Sequence, residues 1–262
     1  MSPLRRGFFC EKIMQKIKTL FIAAALLFCV ASLATAAGNE TNDSFSKAKK
    51  MLEQQVYFDH RVTVYCGALF DEKKNIDLPV GFATDKYQKR ARKVEWEHAV
   101  PAENFGRAFV EWREGHPQCV SKGRAFKGRK CAEKVNKEYR HMQADMYNLF
   151  PAIGAVNALR SNRQYSELPG SVSAFGSCEA KVDGNRFEPP ARSKGQVARA
   201  AFYMADSYAK YRLSRQQEQL FRAWDKMYPV DQWECTRAKR IERLQGNENR
   251  FVKEPCQQAG LW

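Results

Sequence analysis

The sequence has no C-x-x-C spacing and no H-E-x-x-H segment. The first absence argues against a paired-cysteine zinc site, the second against a zincin-type metallopeptidase. Internal repeats and low-complexity linkers are missing too, which leaves a single α+β domain as the expected architecture. Past residue 36 no stretch is apolar enough to span a bilayer, which takes about 20 residues. Acidic side chains are scarce: 29 Asp and Glu stand against 44 Lys and Arg, for a formal charge of +15.

What is present is a globular composition, 44% hydrophobic and 12% aromatic over 262 residues. The positive charge points to a polyanionic partner, either nucleic acid or an anionic membrane surface. The N-terminus reads as an export signal. Lys16 and Lys18 precede the apolar run Leu20–Ala34, and Ala34-Thr35-Ala36 forms a small-x-small cleavage site. The stretch from Met14 to Ala36 is a complete signal by itself, so either Met1 or Met14 serves as start. Phe28 is too bulky for the position before a lipidated Cys29. The expected organisation is a removed signal over 1–36 and one domain over 37–262. That domain keeps a formal +11, is located in the periplasm or secreted, and is a monomer without stable membrane association.

Export bears on the cysteines. Cys10 and Cys29 leave with the signal, and Cys66, Cys119, Cys131, Cys178, Cys235 and Cys256 remain. An even number in an oxidising compartment reads as three disulfides, with 15 connectivities open. Proximity favours Cys119–Cys131 and Cys235–Cys256, leaving Cys66–Cys178.

Alternating β-branched and aromatic residues predict a strand over Arg61–Leu69, with shorter strands at Ile76–Ala83 and Lys93–Trp96. Residues 111–136, charged and broken by Gly and Pro, read as a disulfide-tied loop. Tyr139, Met142, Met146 and Leu149 predict a helix over Lys137–Leu149. The chain then reads as irregular up to Pro189-Pro190. Val197, Ala201, Phe202, Ala205 and Tyr208 mark a helix. A second starts after Ser214 and stops before Pro229, and a third runs from Asp231 to Gly246.

The densest polar cluster is Val94-Glu95-Trp96-Glu97-His98-Ala99-Val100-Pro101-Ala102-Glu103-Asn104-Phe105-Gly106. It holds what phosphodiester hydrolysis needs. A neutral histidine can take a proton from water, hard oxygen donors can hold a divalent cation, and arginines such as Arg90 and Arg92 can hold a phosphate. Neighbours in a strand face opposite ways, so Glu97 and His98 serve one site only if the backbone bends.

This segment resembles the signature of the bacterial endonuclease I family of periplasmic and secreted nucleases. The likeness continues at Asp145-Met146-Tyr147-Asn148-Leu149, Gly154-Ala155-Val156-Asn157, Glu188-Pro189-Pro190-Ala191-Arg192, Leu213-Ser214-Arg215-Gln216-Gln217 and Trp233-Glu234-Cys235. It implies a ββα-metal (His-Me finger) core with a mainly helical remainder. It also implies metal-dependent endonuclease activity on DNA and RNA, with little sequence preference and 5′-phosphate products. By this resemblance His98 is the general base, Glu97 and Asn148 bind one Mg²⁺, and Arg129 steadies the phosphate, with Arg124 as the alternative. Arg90, Arg92, Arg192, Lys194 and Arg199 are the expected contacts along the nucleic-acid backbone.

Two positions depart from the family pattern. Tyr65-Cys66-Gly67-Ala68 and Val80-Gly81-Phe82 lack a pair of cysteines that relatives often carry, and Tyr147 stands where relatives commonly have His. A binding protein that had lost the chemistry, or a basic adhesion protein, are the competing readings. Intact Glu97, His98 and Asn148 argue against the former, and metal-dependent cleavage would separate the latter.

Overall fold

The fold begins where Ser44 caps the first helix, its hydroxyl accepting from Lys47 N at 3.2 Å. The computed structural model describes residues 37–262, which fall within one compact unit, Ala36–Trp262. The export-signal reading lies outside the described residues. Helix α1 (Phe45–Met51) runs into a π turn, Leu52–Val56. Strands β1 (Leu69–Phe70) and β2 (Ile76–Asp77) pair antiparallel. Helix α2 (Gln88–Ala91) leads into β3 (Val94–His98). Then come α3 (Ala102–Gly106), α4 (Val110–Arg113), the hairpin β4 (Val120–Ser121) and β5 (Arg124–Ala125), α5 (Arg129–Val135) and α6 (Lys137–Gln143). A 3-10 turn, Met146–Asn148, opens into β6 (Leu149–Ile153), followed at once by α7 (Gly154–Arg160).

Strands β7 (Gln164–Tyr165), β8 (Lys181–Asp183) and β9 (Arg186–Glu188) form a small sheet in the order β7-β9-β8. Four longer helices complete the chain: α8 (Ala191–Ser207), α9 (Arg215–Met227), α10 (Gln232–Gln245) and α11 (Arg250–Gln258). Ser214, Asp231 and Asn249 cap the last three through side-chain oxygens, and Gly246 ends α10 at φ +83°.

Strands β3 and β6 pair antiparallel in the register Val94↔Ile153 through His98↔Leu149. All five residues of β6 are buried, so this pair lies in the core. Gly154 follows β6 because nothing larger fits. A Cβ there would sit 2.6 Å from the Arg90 carbonyl and 2.8 Å from Glu95 Oε1. Helix α7 therefore starts hard against the base of β3. Beneath the 3-10 turn, buried Asp145 accepts hydrogen bonds from Tyr203 Oη (2.7 Å), Tyr208 Oη (2.6 Å) and Gln245 Nε2 (3.0 Å). This ties the β6 entry to α8 and α10.

Several sequence expectations change. Arg61–Leu69 is not a continuous strand: Gly67, at φ +65°, turns the chain and donates to Thr63 O. Only Ile76–Asp77 of Ile76–Ala83 is extended in a ladder. Residues 111–136 hold a hairpin and helix α5, not merely a loop. The expected helix over Lys137–Leu149 stops at Gln143, because Asp145 adopts an extended backbone (φ −69°, ψ 115°) and caps the 3-10 turn by accepting from Tyr147 N at 3.0 Å. The stretch expected to be irregular holds β6, α7 and the β7-β9-β8 sheet.

The sulfurs are joined as Cys66–Cys178, Cys119–Cys131 and Cys235–Cys256, across 112, 12 and 21 residues. Closing a 100-residue loop removes about 4.7 kcal/mol of unfolded-chain entropy, against about 3 kcal/mol for 15 residues. Replacing Cys66 and Cys178 together by alanine should therefore destabilise the protein more than the same change at Cys119 and Cys131. Urea unfolding at equilibrium measures both. Equal losses would show that strain or residual structure, not loop length, governs these bridges.

Candidate active site

The β3–β6 pair and α7 converge on a cavity of about 350 Å³ whose walls include Glu97, His98, Arg129, Asn157 and Arg160. Glu97 and His98 are consecutive, yet both line it. The backbone leaves the ladder at His98, where β3 ends, and continues through Ala99, whose N–H donates to Asn148 O at 3.0 Å.

Glu97 is 3% exposed. Its Oε1 accepts from Tyr65 Oη at 2.9 Å and lies 3.1 Å from Arg160 Nη1. No hydrogen bond to Oε2 is made by the described residues. Burial pushes the Glu97 carboxyl up to about 7, with the Arg160 charge and the Tyr65 hydrogen bond opposing the rise. Arg160 is itself buried. It also donates to His98 O (3.0 Å) and Ala99 O (2.6 Å), so one guanidinium holds both the carboxylate and the backbone bend.

His98 Nε2 lies 2.9 Å from the carbonyl oxygen of Gln143. A carbonyl only accepts, so Nε2 carries the proton and Nδ1 keeps its lone pair. Burial first, then the positive charge of Arg129, pulls the imidazole down to about 3. The ring is held neutral, packed 5.0 Å from the Phe45 ring centroid. Arg129, in the first turn of α5, sits 5.4 Å from that same ring. The Gln143 side-chain oxygen, oriented by this network, accepts from Arg129 Nε (3.1 Å) and Nη2 (2.8 Å). Gln143 thus contacts the histidine through its backbone and the arginine through its side chain. Arg124 is exposed on β5 and does not line the cavity.

Asn148 does not belong to the cavity. It is fully buried, its Oδ1 accepting from Val100 N (2.7 Å) and its Nδ2 donating to Val100 O (2.9 Å). Both ends of the amide are engaged as a splint on the chain just after His98, and Asn148 does not line the cavity. Asn157, on α7, takes the place expected for Asn148. Its Nδ2 donates to Glu95 Oε2 at 2.8 Å, and its Oδ1 accepts nothing from the described residues. Glu95 is gripped in turn by Arg90, through Nε at 2.6 Å and through Nη2. The Gly154-Ala155-Val156-Asn157 segment contained this signal, although nothing local distinguished its Asn from Asn148. Arg160 was not anticipated at all.

The donor set suits a hard cation. Glu97 Oε2 and Asn157 Oδ1 are two oxygens without protein partners among the described residues. No group of three or more His, Cys, Asp or Glu that could hold a metal occurs among the described residues. An ion seated on two protein oxygens and otherwise hydrated matches Mg²⁺ better than zinc.

The basic residues expected along the nucleic acid divide. Arg199 is 2% exposed and locked to Glu234 (2.6 Å) and Asp225 (2.7 Å), so it is a core ion pair and cannot reach a phosphate. Lys194, likewise buried, is bound to Glu167 and Glu188. Arg192 packs over Gly67, where a Cβ would meet its Nη1 at 1.5 Å, and does not line the cavity. Arg90 serves Glu95, whereas Arg92 is exposed. Tyr147 faces away from the cavity: its ring packs 4.8 Å from Tyr203 and its hydroxyl donates to Asn247 O at 3.0 Å.

The Endonuclease I family model matches residues 44–256. An extracellular deoxyribonuclease of Aeromonas hydrophila is 39% identical over 239 residues, covering 88% of this chain and 98% of the relative. A periplasmic deoxyribonuclease of the same species is 41% identical over 210 residues, covering 78% of this chain and 83% of the relative. An extracellular ribonuclease of Bacillus subtilis is 30% identical over 142 residues, 45% of this chain and 46% of the relative.

The two asparagines should respond unequally to truncation. Asn148→Ala leaves the Val100 N–H and C=O without partners and should cost about 1–3 kcal/mol or more, while Asn157→Ala should cost much less. Arg199→Ala should cost roughly 3–5 kcal/mol by stranding Glu234 in the core. Thermal unfolding of the three variants checks this. A stable Asn148→Ala protein would contradict the splint.

Proposed function

Because the chain belongs to the endonuclease I family, we propose that it is an exported, Mg²⁺-dependent endonuclease. It hydrolyses phosphodiester bonds of DNA, and of RNA, with little sequence preference and leaves 5′-phosphates. The observation that carries this reading is a buried, neutral His98 whose Nδ1 has no partner among the described residues, in one cavity with Glu97, Arg129 and Asn157. The names of the Aeromonas and Bacillus relatives support the DNA and RNA substrates and the extracellular or periplasmic location. The three disulfides also fit an oxidising compartment. No described helix is long and apolar enough to cross a membrane.

The strand pair β3–β6 and helix α7 are read as the ββα grip expected from the family resemblance. Glu97 Oε2 and Asn157 Oδ1 would hold the cation, which when bound neutralises charge on the phosphate. His98 Nδ1 takes the proton from a water attacking phosphorus, and the Gln143 carbonyl steadies the imidazolium through Nε2–H. A new P–O bond forms as the P–O3′ bond breaks, the departing O3′ takes a proton from solvent water to become the 3′-hydroxyl, and the phosphate stays on the 5′ side. Arg129, braced by Gln143 and Phe45, faces the negative charge that builds on the phosphoryl oxygens.

His98→Ala should bind DNA yet cut at least ~10²-fold more slowly, and EDTA should stop the wild type. Plasmid nicking by the oxidised mature protein, with and without Mg²⁺, reads both. Near-normal nicking by His98→Ala would remove the histidine from its role as base.

A further inference from the structure

The cavity is not isolated. Glu103 and Asn162, joined by a hydrogen bond of 2.7 Å, form one of its walls and also a wall of a second groove of about 410 Å³. That groove in turn shares Arg212 and Leu213 with a third depression of about 540 Å³ between α8, α9 and α11. Three hollows thus run end to end, starting at His98.

Their charges are uneven. Each carboxylate along the second and third hollows already has a cation: Glu103 has Arg107, Asp206 has Arg250, Glu218 has Arg222 and Asp225 has Arg199. Arg212 and Lys226 are exposed and make no ion pair or side-chain hydrogen bond with the described residues. Arg212 stands at the junction of the two hollows and Lys226 lines the outer one. Between the cavity and Arg212 the second groove presents amides, among them Asn104, Gln164, Asn185 and Gln217. Amides can donate to or accept from any base or sugar, whereas the cations take phosphates and carry no sequence information.

We propose that these hollows form one track for the nucleic-acid strand flanking the scissile phosphate, with Arg212 and Lys226 as its phosphate contacts. The inference rests on the nuclease reading and adds the path of the substrate. It also replaces buried Arg199 and Lys194 with two cations that a phosphate can reach.

The test uses the oxidised mature protein, a 20-nucleotide single strand and a dinucleotide. The variant Arg212→Glu/Lys226→Glu is compared with Arg215→Glu, an exposed change on α9 that lines neither groove. In the Arg212→Glu/Lys226→Glu protein the KM for the 20-mer should rise about 10-fold or more, with kcat and dinucleotide cleavage unchanged. The log–log salt dependence of 20-mer binding, read by fluorescence anisotropy in EDTA, should become shallower by about 1.4, or about 0.7 per lost single-strand contact. Arg215→Glu should change the KM and the salt slope little. An unchanged KM and slope in the double variant would overturn the track, as would equal losses on the dinucleotide or in Arg215→Glu. Wild type that binds the 20-mer but does not cut it with Mg²⁺ would refute the nuclease reading, while the anisotropy slopes would still decide the track.

Discussion

The buried pair between Arg160 and Glu97 is the contact on which the rest of the site depends. Burying a carboxylate this deeply is costly, and the upward pull on its pKa shows the cost. One guanidinium offsets part of it while engaging only Oε1. The other oxygen is left facing the cavity without a partner among the described residues. The same side chain grips the carbonyls of His98 and Ala99, so the carboxylate and the bend that presents the histidine are fixed together. A bound cation would relieve the remaining cost, and this supports the proposed metal site.

Around that pair the protein holds its functional groups from behind. Arg90 holds Glu95, and Glu95 holds Asn157. Gln143 orients His98 with its backbone and Arg129 with its side chain. Asn148 splints Val100, and Asp145 anchors the turn that carries Asn148. Outer hydrogen bonds of this kind set the tautomer and direction of the groups that act. Helix α7 brings Asn157 and Arg160 one turn apart, so the proposed amide ligand and the anchor of the carboxylate share a rigid support.

That Glu97, His98 and Arg129 would come together was legible through the family resemblance of their segments, and the three do line one cavity. The asparagine that lines the cavity was not legible. Asn148 and Asn157 both lie in family-like segments, and only the placement of β6 and α7 shows which one faces the cavity. Strand β6 was itself hidden: Leu149–Ile153 is buried throughout, lacks alternation and contains Pro151, so no period-2 signal exists. The helix expected over Lys137–Leu149 failed for a related reason. Met142 and Met146 are both fully buried, which extends an apparent helical stripe beyond the end of α6. By contrast, α9 and α10 were legible because Ser214, Asp231 and Gly246 mark their ends. The mistake over Arg199 has another cause: its partner Glu234 lies 35 residues away, and charge counting does not show which cations are already neutralised.

The most direct measurement is Mn²⁺ titration of wild type and Arg160→Lys, followed by electron paramagnetic resonance, with thermal unfolding to confirm that both are folded. Lysine keeps the charge but cannot hold Glu97 and the two carbonyls at once. If Arg160 fixes the metal-facing carboxylate, wild type binds one ion and the folded variant binds it about 10–100-fold more weakly. An affinity equal to wild type in a folded Arg160→Lys protein would show that Glu97 is positioned without Arg160, and would contradict the account.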